Sequence, residues 1–240
     1  MHWTKLVSAT KLFRDAYRGA ELYDNYMASE DASKWLEDRP PDLAGARLLI
    51  SFINQWATRS PLKPEELLSG YISVLPELQL LAGLRFETLE LSASVDDAGK
   101  TVASTIANVF DGIARCGRRY ESTGASKILH LLRPELFVMW DLRIAAGYGL
   151  CKDVEQPRPN GAEYANIFLR RLTYEADGAL ESYTLEKHVD RHQAVADMLH
   201  ISGAPTFAKL LDEYNFMKFT VGEEDLWKLQ PATQLAGGRT

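Results

Sequence analysis

Residues 120–141 read YESTGASKILHLLRPELFVMWD. In order, we interpret this stretch as a turn, a short helix, a stop at Pro134, an extended apolar piece and a new helix opened by Asp141. Thr123 is placed to cap the short helix, and Gly124 allows the tight turn before it. The alternation of helix, stop and helix predicts a helical fold around this segment.

The first turn of the short helix is suited to binding an anion. Its backbone N–H groups and the positive end of its dipole match a phosphate. We expect Lys127 in this turn, where the dipole lowers the pKa of its ammonium group, as an amine nucleophile requires. Asp141 follows the apolar run 136–140 and would cap the next helix, a position suited to electrostatic stabilisation or proton transfer. Lys127 and Asp141 are therefore the candidate catalytic residues.

Apolar residues recur at helical spacing through most of the chain. In the N-terminal half, one stripe from Ala9 to Met27 predicts a single long first helix. Residues 42–56 are apolar on most sides, which predicts a buried central helix. A further helix is expected to open at Pro64, with acids in its first turn, and to end or kink at Pro76.

The rest of the chain repeats the helical pattern, with few exceptions. Residues 84–91 alternate apolar and polar side chains and predict a short strand, and residues 152–161 predict a loop. About eight to ten helices and almost no strand predict one all-α domain over residues 1–240. Two lobes are an alternative arrangement, the first built from residues 1–98 and the C-terminal helices and the second from residues 99–200.

Composition excludes several classes of protein. The 240 residues are 46% hydrophobic and 25% charged, so the chain can build a core and need not be disordered. A formal charge of −6 excludes a uniformly basic nucleic-acid coat. Two cysteines, Cys116 and Cys151, are too few for a disulfide scaffold or a cysteine-rich metal site.

Charge is distributed unevenly along the chain. Basic residues outnumber acidic ones within 112–160, whereas acidic residues predominate on both sides of this segment. A basic segment in an acidic protein is compatible with a local phosphate-binding face. The N-terminal residues lack the pattern of a signal peptide, and no apolar stretch has the length of a membrane span. We therefore expect a cytoplasmic protein with no membrane partner.

Residues 124–150, GASKILHLLRPELFVMWDLRIAAGYGL, resemble the active-site segment of the helix-hairpin-helix DNA glycosylases, particularly the 8-oxoguanine DNA glycosylase-like branch. The resemblance is limited to about residues 122–150. It departs from the family pattern in having one hairpin glycine, Gly124, and a shorter separation between the lysine and the aspartate. A third departure is Trp140-Asp-Leu-Arg143 where the family has Val-Asp-x-His.

The resemblance implies a base-excision glycosylase and AP lyase that acts on a damaged, flipped base in double-stranded DNA, without a cofactor or a metal. Lys127 would attack the sugar C1′, and Asp141 would support the reaction. A hairpin over residues 122–126 would hold DNA phosphate. As residues of this hairpin, Thr123, Gly124 and Ser126 are expected to bind DNA. Arg118, Arg119 and Arg143 lie nearby in the sequence and are expected to bind DNA phosphates as well.

Two alternatives remain open from the residues alone. A non-catalytic all-α protein of the same fold could bind nucleic acid or another anionic partner with the same segment. An apolar stripe across residues 185–199 predicts a helix. His188 and His192 are four apart on this helix, a spacing compatible with metal ligands, although core or interface histidines are the preferred interpretation. Asp212 and Glu213 are expected to be solvated at a helix end. His130 is interpreted as a core histidine.

Overall fold

The computed structural model describes residues 1–29, 42–56, 62–117, 121–150 and 160–222. Within these ranges the chain is helical and contains no β-strand, only one isolated bridge between Ser94 and Thr101. The prediction of an all-α protein is therefore confirmed. No helix in the described ranges is both long enough and apolar enough to cross a membrane.

The described helices share the packing of one apolar face on a common hydrophobic core. In chain order they are α1 (Trp3–Ala16), α2 (Arg18–Met27), α3 (Leu43–Trp56), α4 (Pro64–Leu80), α5 (Val102–Ala114), α6 (Ser122–Leu132), α7 (Leu142–Gly147), α8 (Arg170–Lys187), α9 (Arg191–Ser202) and α10 (Phe207–Phe216). A short helical turn, Gly161–Glu163, and a π-helical segment, Tyr164–Leu169, lead into α8, and a second π-helical segment, Met217–Gly222, follows α10. The three-residue 3₁₀ turn Phe86–Thr88 lies between α4 and α5.

The prediction of one long first helix is wrong, because the chain breaks at Tyr17. This residue has φ −116° and ψ 117°, which is extended backbone, and it separates α1 from α2. The break places the Tyr17 ring parallel to Phe13, with ring centroids 5.3 Å apart. Both rings meet Phe216 of α10 edge-on, each at 5.4 Å. The helical stripe is therefore divided so that three aromatic rings can pack together.

Two other local predictions need correction. Of the two outcomes expected at Pro76, an end of the helix is wrong, because the helix that opens at Pro64 runs through Pro76 and stops at Leu80. Residues 84–91 form a 3₁₀ turn and flanking loop instead of a strand, and the Phe86 N–H donates to the carbonyl of Glu135. A strand needs a partner strand for its backbone groups, and none is present in the described part of the chain.

The helix predicted around residues 185–199 is divided as well. His188 adopts a left-handed conformation with φ 56° at the end of α8, and α9 begins at Arg191 with Asp190 as its cap. His188 and His192 therefore lie on different elements, and both are exposed. No group of three or more metal-binding side chains occurs among the residues that the structure describes. The two histidines therefore do not share the helix that the metal-ligand spacing assumed, and the core location is wrong. Their location at an interface stays a prediction.

Candidate functional site

The helix that carries the sequence motif begins two residues earlier than predicted. Helix α6 starts at Ser122, and Glu121 precedes it without a side-chain cap. Thr123 and Gly124 are therefore helical residues, not a cap and a tight turn, and the predicted hairpin over 122–126 is wrong. Lys127 falls in the second turn of α6, because a turn takes about 3.6 residues. A lowered pKa of Lys127 thus needs a cause other than the first turn of the helix.

The backbone carbonyls of segment 137–140 are hydrogen-bonded by side chains and not by a neighbouring strand. The His130 ring contacts the carbonyl of Phe137 through Nδ1 at 2.6 Å, while its Nε2 lies 2.8 Å from the Tyr23 hydroxyl. The Tyr164 hydroxyl donates to the carbonyl of Val138 at 2.6 Å. These buried hydrogen bonds hold the segment that leads directly to Asp141. His130 is fully buried, which confirms its prediction as a core histidine.

Ser126 completes this arrangement and cannot contact DNA in the described structure, because it has 0% exposure. Its hydroxyl lies 3.0 Å from the carbonyls of Thr123 and Trp140 and 3.2 Å from the Trp140 amide, which donates to it. The residue before Lys127 is thereby bound to the residue before Asp141. The predicted DNA-binding role of Ser126 is wrong, and its hydroxyl fixes the spacing of the two candidate catalytic residues.

Replacing Ser126 with alanine is expected to lower the free energy of unfolding by about 1–3 kcal/mol, because a buried Trp140 amide and carbonyl lose a hydrogen-bond partner. Urea denaturation of the variant measures this loss. Ser73→Ala is the matched control, since the Ser73 hydroxyl donates only to the carbonyl of Gly70 in its own helix. An equal, small effect of both substitutions would show that the link to Trp140 contributes nothing.

The structure brings four of the predicted site residues to one cleft of about 590 Å³. They are Thr123, Lys127, Asp141 and Arg143. The cleft is lined on other sides by aromatic rings from α1, the α1–α2 connection and α10, namely Phe13, Tyr17 and Phe216, together with Trp140. Phe137 is fully buried and does not line it.

Lys127 is a mostly buried amine in the wall of this cleft. Burial lowers the pKa of its side chain below the ordinary value for lysine. The carboxylates of Asp212 and Asp141 act on this pKa in the opposite direction, and the Lys209 ammonium lowers it. The direction of the expected shift is as predicted, but desolvation replaces the helix dipole as its main cause.

Asp141 begins α7 as predicted. Its Oδ1 accepts a hydrogen bond from the Ile144 N–H at 2.8 Å, so the side chain is the cap of the helix. The residue is only partly buried and lines the cleft. A carboxylate is thus fixed beside the cleft by a local hydrogen bond, at a place where the helix N-terminus favours negative charge.

A buried charged cluster that the sequence interpretation missed lies behind Lys127. Lys209 and Asp212 of α10 are 1% and 7% exposed, and both line the cleft. The Lys209 Nζ lies 2.7 Å from Asp212 Oδ2 and 3.7 Å from Glu213 Oε1. Glu213 has 0% exposure and accepts two hydrogen bonds of 2.9 Å from the Arg14 guanidinium.

The expectation that Asp212 and Glu213 are solvated is therefore wrong. Helix α10 carries apolar residues on nearly all its sides, which leaves no solvated face for the charged residues. A lysine followed by acids three and four positions later, within such a run, is the pattern of a buried ion pair. That pattern is visible in the sequence and could have identified the cluster.

The rim of the cleft carries positive charge. Arg18 and Arg143 are both exposed and line the opening. Arg118 and Arg119, which the sequence also placed near phosphate, lie outside the described residues, as does Cys151. Cys116 is partly buried, and burial raises the pKa of its thiol to about 11, so it is not an activated nucleophile.

Comparison of the chain with protein-family models, with curated proteins and with solved structures found no significant match.

Proposed function

We propose that the protein is a divergent DNA base-excision glycosylase and AP lyase of the helix-hairpin-helix type, in which Lys127 is the nucleophile. The observation that carries this proposal is the placement of a desolvated lysine beside the capping carboxylate of Asp141 in one cleft. An amine that is partly deprotonated at neutral pH can attack a sugar carbon, and a nearby carboxylate stabilises the positive charge that develops there.

The dimensions and charge of the cleft fit this chemistry. Its volume of about 590 Å³ lies within the range of about 300–1,000 Å³ that is usual for small-molecule sites. Aromatic rings in the wall can accept the face of a flipped base, which must leave the duplex before it can be reached. Arg18 and Arg143 at the rim can contact the flanking phosphates.

Helices α5 and α6 pack against each other, and Gly117, Arg118 and Arg119 lie between them in the sequence. The proposal keeps Arg118 and Arg119 as phosphate contacts, as their place in the sequence predicts.

In the proposed reaction, the neutral Lys127 amine attacks C1′ of the deoxyribose while the bond from C1′ to the base breaks. The departing base takes a proton from the Lys127 nitrogen. The C1′–O4′ bond then breaks as the ring oxygen takes up a second proton from that nitrogen, which leaves an imine between Lys127 and C1′. Asp141 stabilises the positive charge on the sugar as the bond breaks. Protonation of the imine makes the C2′ hydrogens acidic, so that a C2′ proton is lost to solvent. The C3′–O bond then breaks, the phosphate on the 3′ side leaves, and the strand is cleaved.

Borohydride trapping tests the proposal directly. We expect the wild-type protein to form a covalent complex with a labelled duplex that carries 8-oxoguanine, uracil or an abasic site, and Lys127→Ala to form none. Lys100→Ala is the matched control, since Lys100 pairs with Glu77 and does not line the cleft. Circular dichroism establishes that each variant is folded.

Absence of a complex on every duplex, the abasic one included, would overturn the proposed chemistry. A salt-dependent affinity for the same duplexes would then favour a non-catalytic protein that uses the basic rim to bind nucleic acid.

A further inference from the structure

Asp212 is a second carboxylate in the cleft and takes no part in the steps assigned to Lys127 and Asp141. It lines the cleft from α10, on an element different from those of the other two residues. It interacts electrostatically with both of them. Its side chain is almost completely removed from solvent.

Lys209 holds the Asp212 carboxylate in place. The Lys209 Nζ lies 2.7 Å from Asp212 Oδ2, and it also lies 4.6 Å from the centre of the Tyr23 ring. With 1% exposure, Lys209 has little space in which to reorient. One oxygen of Asp212 is thus bound to a fixed cation, and this contact holds the carboxyl group in the wall of the cleft.

Imine formation requires a group that can both accept and return a proton. Lys127 must lose a proton before it attacks, and the hydroxyl of the resulting carbinolamine must gain one before it leaves as water. Asp141 is poorly suited to this task because it caps α7, where a negative charge is favoured. Burial raises the pKa of Asp212, whereas burial lowers the pKa of Lys127, so their proton affinities are brought closer together.

We propose that Asp212 is the acid–base partner of Lys127 and that Lys209 is the residue that positions it. This inference rests on the proposed function. It divides the work between two carboxylates, of which Asp141 stabilises charge and Asp212 carries the proton.

On an abasic site, the Lys127 ammonium gives a proton to the Asp212 carboxylate, and the neutral amine forms a bond to C1′ of the sugar aldehyde. A proton moves from the new ammonium nitrogen to the former aldehyde oxygen, which gives the carbinolamine. Asp212 then returns its proton to the hydroxyl, the carbon–oxygen bond breaks, and water leaves. The products are a protonated imine, one water molecule and the Asp212 carboxylate.

The experiment measures the rate of borohydride trapping on a duplex with a preformed abasic site. We expect Asp212→Asn to lower this rate by about 100-fold or more, as for loss of a general acid–base group. Binding to a duplex that carries a tetrahydrofuran analogue, which has no aldehyde, is expected to change much less. Asp177→Asn is the matched control, because Asp177 is an exposed partner of Arg191 outside the cleft.

Chemical rescue separates a proton carrier from a structural residue. In Asp212→Ala, added formate is expected to restore part of the trapping rate, because a small carboxylic acid can enter the vacated space. In the single variants Lys209 loses its Asp212 partner, and this loss alone can unfold the protein. In that case the test uses the double variant Lys209→Met, Asp212→Ala, which removes both charges. Formate is expected to rescue the double variant less well, since the positioning cation is lost.

The outcomes separate the two proposals. A wild-type protein that traps the abasic duplex, with Asp212 variants that trap it equally fast, would overturn the role of Asp212 and leave Lys127 as the nucleophile. Slow variants that formate does not rescue would also overturn it. A wild-type protein that traps nothing would overturn both proposals at once.

Discussion

Substituting Asp141 with asparagine is expected to lower the rate of imine trapping on a damaged-base duplex by about 100- to 1,000-fold, because positive charge on the sugar loses its stabilising carboxylate. The free energy of unfolding is expected to change little. The side-chain oxygen of the introduced asparagine can still accept the Ile144 N–H, and asparagine caps helices as well as aspartate does. Single-turnover trapping and urea denaturation measure the two quantities separately.

Asp141→Ala is the companion variant, since it removes the charge and the cap together. It is expected to lose trapping to the same extent as Asp141→Asn and, in addition, about 1 kcal/mol of stability from the missing cap. If Asp141→Asn traps at the wild-type rate, the charge of Asp141 has no part in the reaction. Asp141 would then be only the cap of α7.

Replacing Arg14 with methionine is expected to destabilise the fold by about 3–5 kcal/mol at pH 8, because Glu213 is left as a buried carboxylate with one of its two cationic partners removed. Arg14 also pairs with Asp24 at 2.8 Å, but that carboxylate is partly exposed and its loss contributes less. Such a loss is a large part of the total stability of a typical domain, which is about 5–15 kcal/mol.

The cost of this substitution should depend on pH. Burial raises the pKa of Glu213 to about 7 in the folded protein, against the opposing effects of Lys209 and Arg14. Without Arg14 this pKa rises further, so Glu213 is protonated at pH 5 and its burial is tolerated. Stability of the variant is then lost as pH rises through the folded pKa, and the destabilisation is smaller at pH 5 than at pH 8.

Thermal and urea unfolding at the two pH values test this expectation. Arg47→Met is the control, because the Arg47–Glu65 pair spans 4.0 Å and both side chains are more than half exposed. It is expected to cost less than about 1 kcal/mol at either pH. Equal effects of the two arginine substitutions would show that the Arg14–Glu213 pair does not stabilise the core.

The helical class of the protein and the local order of the motif could be predicted from the sequence. A proline followed by acids placed the start of the helix that opens at Pro64, and Asp141 was identified as the cap of α7. Each of these features depends on residues within one or two turns of each other. Helix propensity, capping and periodicity act over that distance, so the order of residues in the chain is sufficient to predict such features.

The breaks between helices could not be predicted from the sequence, because they depend on packing with elements that are remote in the chain. The stripe from Ala9 to Met27 continues across Tyr17 without a glycine or proline at the break, and only the rings of Phe13 and Phe216 explain why the backbone turns there. In the same way, the stripe across residues 185–199 hides the left-handed residue His188. Periodicity records which residues are apolar and not where a helix ends.

Local patterns in the sequence were enough to predict the all-α class, the lysine and aspartate candidates and their placement on two consecutive helices. The packing of remote helices was needed to show that Ser126 is buried and that Lys209 and Asp212 line the same cleft, with Arg14 and Glu213 paired to each other. Arg14 and Glu213 lie near opposite ends of the described chain, yet they form one ion pair. Burial is a property of the whole packed molecule, and burial decides whether a charged side chain is solvated or has its pKa and its chemistry changed.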